Sequence, residues 1–408
     1  MNTRINVLCH TQIGVETALL VGTPTKAVFD IHFFQSVLPN SEHPLVTSTS
    51  TTSKSSYARI VSAFLKNQHF FVFTAPVLFV ALVYLFAPTG GASGSGYWLE
   101  FWWLFPFFLL GATIVNTVGI SGAALFVPFL IFVFPLLASP LDAATIVKVG
   151  LISESFGLSS SAVAFVAHGL VDRRVGTAIV TGALPLVVGG ALLSFFLPEP
   201  VFQLLLGIVL TLSAYLLFNL DLSHGHGSDE PTPATDGGSD LPNDDEKLGH
   251  AGVSVDGDGQ VTRVDRSGTE YRYDRSGYFE RFGTYGFGGV FQGVAGFGIG
   301  EIGIVSMLRS KIPVRVAIGT NHIVVATTAI AASLTHVFGG GLVGAHQMNL
   351  ATTPWNMVVF TVPATVTGGQ IAPYVTSTFS TRTLKLFVAG LFVLISTALY
   401  VLAGQGLF

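Results

Sequence analysis

The feature that most constrains this chain is a long apolar stretch, Gly111–Leu130, that polar and helix-breaking residues interrupt in its middle. The interrupting residues are Asn116, Gly119, Ser121, Gly122 and Pro128. In a bilayer such a stretch indicates a helix that is broken or hairpinned, because irregular backbone at membrane depth is tolerated only inside protein or beside a watery cavity. A related glycine-rich stretch, Gly286–Leu308, returns in the second half of the chain. Paired interruptions of this kind are typical of a transporter binding site.

The composition indicates a membrane protein. Only 10% of the 408 residues are charged and 50% are hydrophobic, whereas soluble domains carry about 25% charged residues. Apolar runs that approach or reach the length of a membrane span recur along the chain: Phe70–Ala87, Leu99–Val118, Gly119–Leu137, Ala143–Ala167, Val175–Leu197, Val201–Leu220, Tyr278–Phe297, Ile299–Leu308, Val316–Phe338, Trp355–Val375 and Leu384–Leu402. We therefore predict an all-α polytopic membrane protein.

Several classes of function are disfavoured. The single cysteine, Cys9, excludes disulfides, iron–sulfur clusters and thiolate zinc sites, and we expect neither a metal nor a cofactor. The net charge of -4 argues against nucleic acid as a partner. Catalytic and ATP-binding motifs are missing in their required contexts, so we expect the protein not to be an enzyme.

Changes in composition divide the chain into five parts. We predict a mostly disordered tail (1–69), an accessory transmembrane helix (70–87), a first transmembrane repeat (98–220), a cytoplasmic acidic linker with a possible β-hairpin (221–277), and a second transmembrane repeat (278–408). The repeats match at an offset of 178 residues, which is the distance from Gly122 to Gly300 and from Pro185 to Pro363. This spacing is typical of a duplicated helical bundle.

Positive charges predict that the two repeats are inverted. Arg173 and Arg174 follow the third apolar run of the first repeat, whereas Arg309, Lys311 and Arg315 lie one loop earlier in the second. Because Lys and Arg stay in cytoplasmic loops, both placements require inverted halves with an odd number of crossings, about five in each. The N-terminus and the linker are then cytoplasmic.

The candidate site combines the broken segments with polar residues nearby. Free N–H groups at a helix break suit an oxyanion, and glycine lets the backbone approach a ligand closely. The predicted substrate-binding residues are Asn116, Gly119, Ser121, Gly122, Lys148, Gly298, Gly300, Thr320 and Asn321. Either Glu154 or Glu301 is predicted to carry a proton that couples transport to a gradient. The alternatives are that the glycines only permit close helix crossings, that the carboxyl groups are structural and that Lys148 extends to the interface.

The order of these motifs resembles the sulfite exporter TauE/SafE family. The first-repeat elements are Gly119–Gly122 leading to Val127 and Pro128, then Ala144 and Thr145, Gly169–Arg174, and the glycines from Gly182 to Gly190. The second-repeat elements are Gly296, Gly298 and Gly300, followed by Ala317–Asn321. The resemblance covers about residues 104–400 except the linker. The chain departs from the family pattern at Ser121 and Ala123, where glycines are usual, and at Glu301.

The resemblance implies an exporter or permease of sulfite or an organosulfonate in the cell membrane. Its partners would then be a small anionic substrate and membrane lipid, and the oligomeric state is left open. Two other functions stay open: a passive anion channel, and a membrane sensor or scaffold that acts through the cytoplasmic linker.

Overall fold

The computed structural model describes residues 64, 67–89, 94–167, 170–219, 253–255, 260–264, 270–274, 278–310, 312, 314–339, 350–376 and 381–407. Most of the predicted N-terminal tail and the whole acidic part of the linker lie outside these residues.

Helices build almost all of the described chain. In the first half they are α1 Gln68–Phe86, α2 Ser95–Leu99, α3 Leu104–Val118, α4 Ala123–Phe132, α5 Ala143–Ala167, α6 Arg173–Ser194 and α7 Glu199–Asn219. In the second half they are α8 Tyr278–Ala295, α9 Ile299–Arg309, α10 Val314–Phe338, α11 Trp355–Thr376 and α12 Thr381–Leu407. Short 3-10 turns lie at Phe134–Leu136 and Leu350–Thr352.

Six helical segments of the described chain are long and apolar enough to cross a membrane. They are Gln68–Phe86, Ser95–Val118, Ala143–Ala167, Arg173–Ser194, Val316–Phe338 and Leu386–Gly406. Large apolar side chains on α1, among them Leu82, Leu85 and Phe86, are exposed. Such side chains are stable in contact with lipid but not with water. The prediction of a helical membrane protein is therefore confirmed.

The linker also contains a small sheet. Strands β1 Val253–Val255, β2 Gln260–Val264 and β3 Glu270–Asp274 pair antiparallel in the order β1-β2-β3. The sequence pattern predicts one hairpin in this region, and the structure has a third strand beside it. Val261 is opposite both Val255 and Tyr273, so the alternating residues lie side by side across the sheet.

The two longest mostly buried helices, α5 and α10, pack against each other at the centre. Around them α3 packs on α11, α8 packs on α6, and α7 packs on α12. Hydroxyl groups join the buried helices: the Ser153 hydroxyl donates to Thr361 Oγ1 at 2.7 Å, and the Thr365 hydroxyl donates to the Ser153 carbonyl at 2.8 Å. Such bonds between small polar residues are typical of helix contacts in membranes.

Helices α3 and α4 form an antiparallel hairpin, here called the first hairpin. Aromatic side chains pair along it: Trp103 stacks on Phe134 with ring centres 5.5 Å apart, and Phe108 stacks on Phe126 at 4.4 Å. The pairing runs in opposite directions along the two helices, so the chain reverses between them. The 10 residues of α4 span about 15 Å, half the thickness of the hydrocarbon core. The run Gly119–Leu137, predicted as a separate crossing, is therefore the returning arm of a hairpin.

Helices α8 and α9 form the second hairpin. Near its open end Arg281 Nη1 donates to Ser310 Oγ at 2.6 Å. Closer to the turn, a Cβ placed at Gly303 would lie within 2.2 Å of the Tyr285 ring, so the two helices touch there. Helix α9 has 11 residues, or about 16 Å, and is also too short to span a bilayer alone.

Candidate functional site

Each hairpin turns at glycine. Gly119 ends α3 with a φ of 81° and donates its N–H to the Val115 carbonyl at 2.9 Å. In the second hairpin Gly296 has a φ of 86° and Gly298 a φ of 120°. Residues other than glycine rarely adopt these positive φ angles. We call Gly119–Gly122 the first tip and Gly296–Gly298 the second tip.

Asn321 of α10 joins the two hairpins where they turn. Its amide nitrogen donates to the Gly119 carbonyl at 2.9 Å and to the Gly300 carbonyl at 3.2 Å. The Tyr285 hydroxyl donates to Asn321 Oδ1 at 2.8 Å, which fixes the amide. Asn321 is completely buried. One side chain therefore satisfies a backbone carbonyl beside each tip.

The Glu301 carboxyl group bridges the backbones of the two tips. The Ser121 N–H donates to Glu301 Oε1 at 2.9 Å, and the Gly298 N–H donates to Glu301 Oε2 at 2.8 Å. The second bond caps α9, in which Glu301 is the third residue, and the partial positive charge at a helix N-terminus favours a carboxylate there. Two oxygens of one group are thus held by two N–H donors from different hairpins.

A second carboxyl group, that of Glu154 in α5, lies on the other side of Ser121. Glu154 Oε1 contacts the Ser121 hydroxyl, which also contacts the Gly296 carbonyl at 3.1 Å. Gln292 Nε2 donates to Glu154 Oε2 at 3.3 Å. Glu154 is buried, and within the described residues neither it nor Glu301 forms an ion pair.

Three predicted site residues direct their side chains elsewhere. The Asn116 amide donates to the Ala112 carbonyl at 2.7 Å and accepts from the Ser161 hydroxyl at 2.8 Å. Lys148 Nζ donates to Thr352 Oγ1 at 2.7 Å. Thr320 Oγ1 accepts the Asp172 N–H at 2.8 Å, at the start of α6. The other predicted residues, Gly119, Ser121, Gly122, Gly298, Gly300, Asn321, Glu154 and Glu301, lie at or beside the two tips.

Sequence reasoning missed Tyr285 and gave Gln292 little weight. Both are buried, and both bond to site residues, Asn321 and Glu154. A signal was available, since these polar residues are seven apart in α8 and therefore share one face of the helix. Of the two membrane histidines, His336 bonds to the Gly293 carbonyl at 2.8 Å, and His322 packs edge-on against Phe165 with ring centres 4.8 Å apart.

A cavity of about 190 Å³ lies among the start of α5, the connection from α6 to α7 and the ends of α8 and α10, and no residue of either tip lines it. It is mostly apolar and is lined by Asp142, Ala143, Ala144, Val147, Ser194, Phe195, Leu197, Phe202, Val294 and His336. A more open groove of about 800 Å³ lies along α6, with Arg173 and Arg174 at one end and Phe282 beside it. Among the described residues, no cluster of three His, Cys, Asp or Glu side chains could hold a metal ion.

The sequence model of the family described as Sulfite exporter TauE/SafE matches residues 104–399. The matched region contains both hairpins and every predicted site residue. No curated protein and no solved structure matches the chain.

Proposed function

Because the chain belongs to the sulfite exporter TauE/SafE family, a family of membrane transporters, we propose that it is a secondary transporter, an exporter or permease, of a small sulfur-containing anion. Sulfite or an organosulfonate is the proposed substrate. It binds between the two hairpin tips at mid-membrane, and its movement is coupled to an ion.

The observation that carries this proposal is how the tips hold Glu301. The N–H groups of Ser121 and Gly298, one from each tip, each donate to a different oxygen of the same carboxyl group. A sulfite or sulfonate group also presents two or more oxygens on one central atom. A substrate that displaces the Glu301 side chain would therefore find two N–H donors already directed at such a pair of oxygens, together with the favourable end of the α9 dipole.

The proposed mid-membrane position follows from helix length. Both hairpins contain an arm that is too short to cross a bilayer, so each tip lies within the membrane if the open ends lie at its surfaces. Non-helical backbone at this depth is stable here because Asn321, Glu301 and Ser121 satisfy its polar groups.

The packing supports two inverted repeats. If α3–α7 correspond to α8–α12 in order, the contact of α3 with α11 has its counterpart in the contact of α8 with α6. The pairs α5–α10 and α7–α12 each join corresponding helices. A hairpin adds an even number of crossings whether or not it spans, so the odd number per half that inversion requires is retained. The hairpins then enter from opposite sides of the membrane.

A flux assay tests the proposal. The purified protein is reconstituted into liposomes, and uptake of sulfite, thiosulfate, sulfoacetate, sulfate and acetate is measured with and without a pH gradient. We expect saturable transport of at least one sulfur anion over acetate, driven by the gradient. Flux that rises linearly with concentration would favour a passive channel, and no flux of any sulfur anion would contradict the proposal.

A further inference from the structure

The Ser121 hydroxyl lies between two acceptors, and its single hydrogen can serve only one of them at a time. The hydroxyl carries one hydrogen, yet it makes hydrogen-bonding contacts to both Glu154 Oε1 and the Gly296 carbonyl. A carbonyl can only accept, so Gly296 is bonded only when the hydroxyl hydrogen points towards it. In that orientation the contact to Glu154 needs a hydrogen from the carboxyl group itself.

The hydrogen bonds of Glu301, in contrast, favour a carboxyl group without a proton. Each of its oxygens receives a backbone N–H, from Ser121 and from Gly298, and these bonds favour the ionised form. Both carboxyl groups bond to the same residue, and neither has a cation partner within the described residues. Two negative charges so close together in a buried site are unfavourable, which agrees with one proton shared by the two groups.

We infer that Glu154, and not Glu301, carries the coupling proton. We also infer that this proton controls the hydrogen bond from the Ser121 hydroxyl to the Gly296 carbonyl, which links the two tips. When Glu154 is protonated, it donates to Ser121 Oγ, and the Ser121 hydroxyl donates to the Gly296 carbonyl. When Glu154 is ionised, the hydroxyl turns to donate to Glu154, and Gly296 loses its donor. Binding of a proton thus adds a direct bond between the first tip and the second. Its release removes that bond and leaves the tips joined only through Glu301 and Asn321.

The surroundings of Glu154 permit both states. The amide of Gln292 also bonds to its carboxyl group, so the ionised form keeps this donor and gains the hydroxyl as a second. A carboxyl group that has hydrogen-bond partners in both its protonated and its ionised form can gain or lose a proton at low cost, as a proton carrier must.

Few other titratable groups face this site. Glu301 approaches from the second hairpin, whereas α3 and α4 contain no titratable residue. Lys148 of α5 bonds to Thr352, and His336 of α10 bonds to the Gly293 carbonyl. His322 of α10 packs against Phe165 of α5. Helix α11 presents the hydroxyl groups of Thr361 and Thr365 to the turn before Glu154. The carboxyl pair is therefore the group in this region whose charge changes would act directly on the tips.

This inference builds on the proposed transport function, but its main test needs no substrate. Infrared difference spectra between acidic and alkaline buffer detect the carbonyl stretch of a protonated carboxylic acid. We expect a signal from a buried acid in the wild type that disappears in Glu154→Gln and persists in the matched variant Glu301→Gln. Glu154→Asp, which keeps an acid at this position, should retain it. No signal in the wild type, or loss in Glu301→Gln with retention in Glu154→Gln, would overturn the assignment.

A second measurement links the proton to transport. Glu154→Gln donates permanently to Ser121, so we expect its flux, with substrate on both sides, to lose its dependence on pH, while the flux that remains in Glu301→Gln keeps it. A pH dependence that survives in Glu154→Gln would contradict the inference. If no variant and no wild-type preparation moves a sulfur anion, the transport proposal fails while the infrared assignment still stands.

Discussion

At the scale of single residues, the two tips depend on buried polar side chains that each satisfy several backbone groups. Asn321 serves a carbonyl beside each tip, and Glu301 serves an N–H from each. A backbone that leaves its helical ladder inside a membrane has no water to replace the lost bonds. These side chains therefore decide whether the turns can exist at this depth.

Replacing Asn321 should destabilise the protein strongly. Asn321→Ala leaves the Gly119 carbonyl and the Tyr285 hydroxyl without a partner, and it removes an extra bond from the Gly300 carbonyl inside α9. Each buried unsatisfied group costs about 1–3 kcal/mol. We expect a clear fall in the thermal unfolding temperature of the protein in detergent. The control Tyr285→Phe removes one hydroxyl and leaves both carbonyls bonded to Asn321, so its unfolding temperature should fall less. Equal falls in both variants would contradict this role for Asn321.

At the scale of secondary structure, glycines serve two different purposes in this chain. At Gly119, Gly296 and Gly298 they provide positive φ at the turns. At Gly190 and Gly293 they let α6 and α8 cross in direct backbone contact, since an added Cβ would lie 2.1 Å and 2.0 Å from carbonyl oxygens of the other helix. Close helix crossing therefore explains some of the glycines and turn geometry explains others, and binding of a ligand by the tip glycines stays a prediction.

Gly119→Ala should disturb the first tip. The left-handed angle costs a residue with a Cβ about 1–2 kcal/mol, and the new methyl group would lie 2.8 Å from Ile318. We expect lower stability and reduced transport. Gly390→Ala in α12, where a Cβ meets nothing within 4 Å, is the matched control and should leave both unchanged or raise stability slightly. Wild-type behaviour of Gly119→Ala would show that the tip tolerates a different turn.

At the scale of the whole molecule, the two halves exchange equivalent contacts around the central pair α5 and α10. The hairpins meet beside this pair because Asn321 of α10 and Glu154 of α5 both reach the tips. An arrangement in which each half supplies one hairpin and one central helix gives the site two sides, which alternating access to a single site requires.

Inversion of the repeats predicts the side on which each loop lies. In a Cys9→Ser background, a single cysteine in the linker, at Ser239 for example, should react with a membrane-impermeant maleimide only after the cells are opened. A cysteine at Ala138, in the turn after the first hairpin, should react in intact cells. The two positions thus act as controls for each other. Labelling of both from the same side would contradict inversion.

The sequence by itself determined the membrane class, the family and the positions of most helices. These follow from local properties, because an apolar run of sufficient length is stable as a helix in lipid wherever its neighbours lie. The family assignment is confirmed by the match over residues 104–399. The sequence also singled out the glycines at both tips and the two carboxyl groups. The inversion of the repeats and the role of each site residue stay predictions.

The tertiary structure decided which of the polar residues meet. Asn116, Lys148 and Thr320 have the chemistry of site residues, yet each bonds to a partner away from the tips. Tyr285 and Gln292 enter the site because the packing of α8 turns one of its faces towards α5 and α10. Only the fold also gives Ser121 both carboxyl groups, although 180 residues separate it from Glu301. Contacts across such a distance depend on how helices pack, and no local pattern in the sequence contains that information.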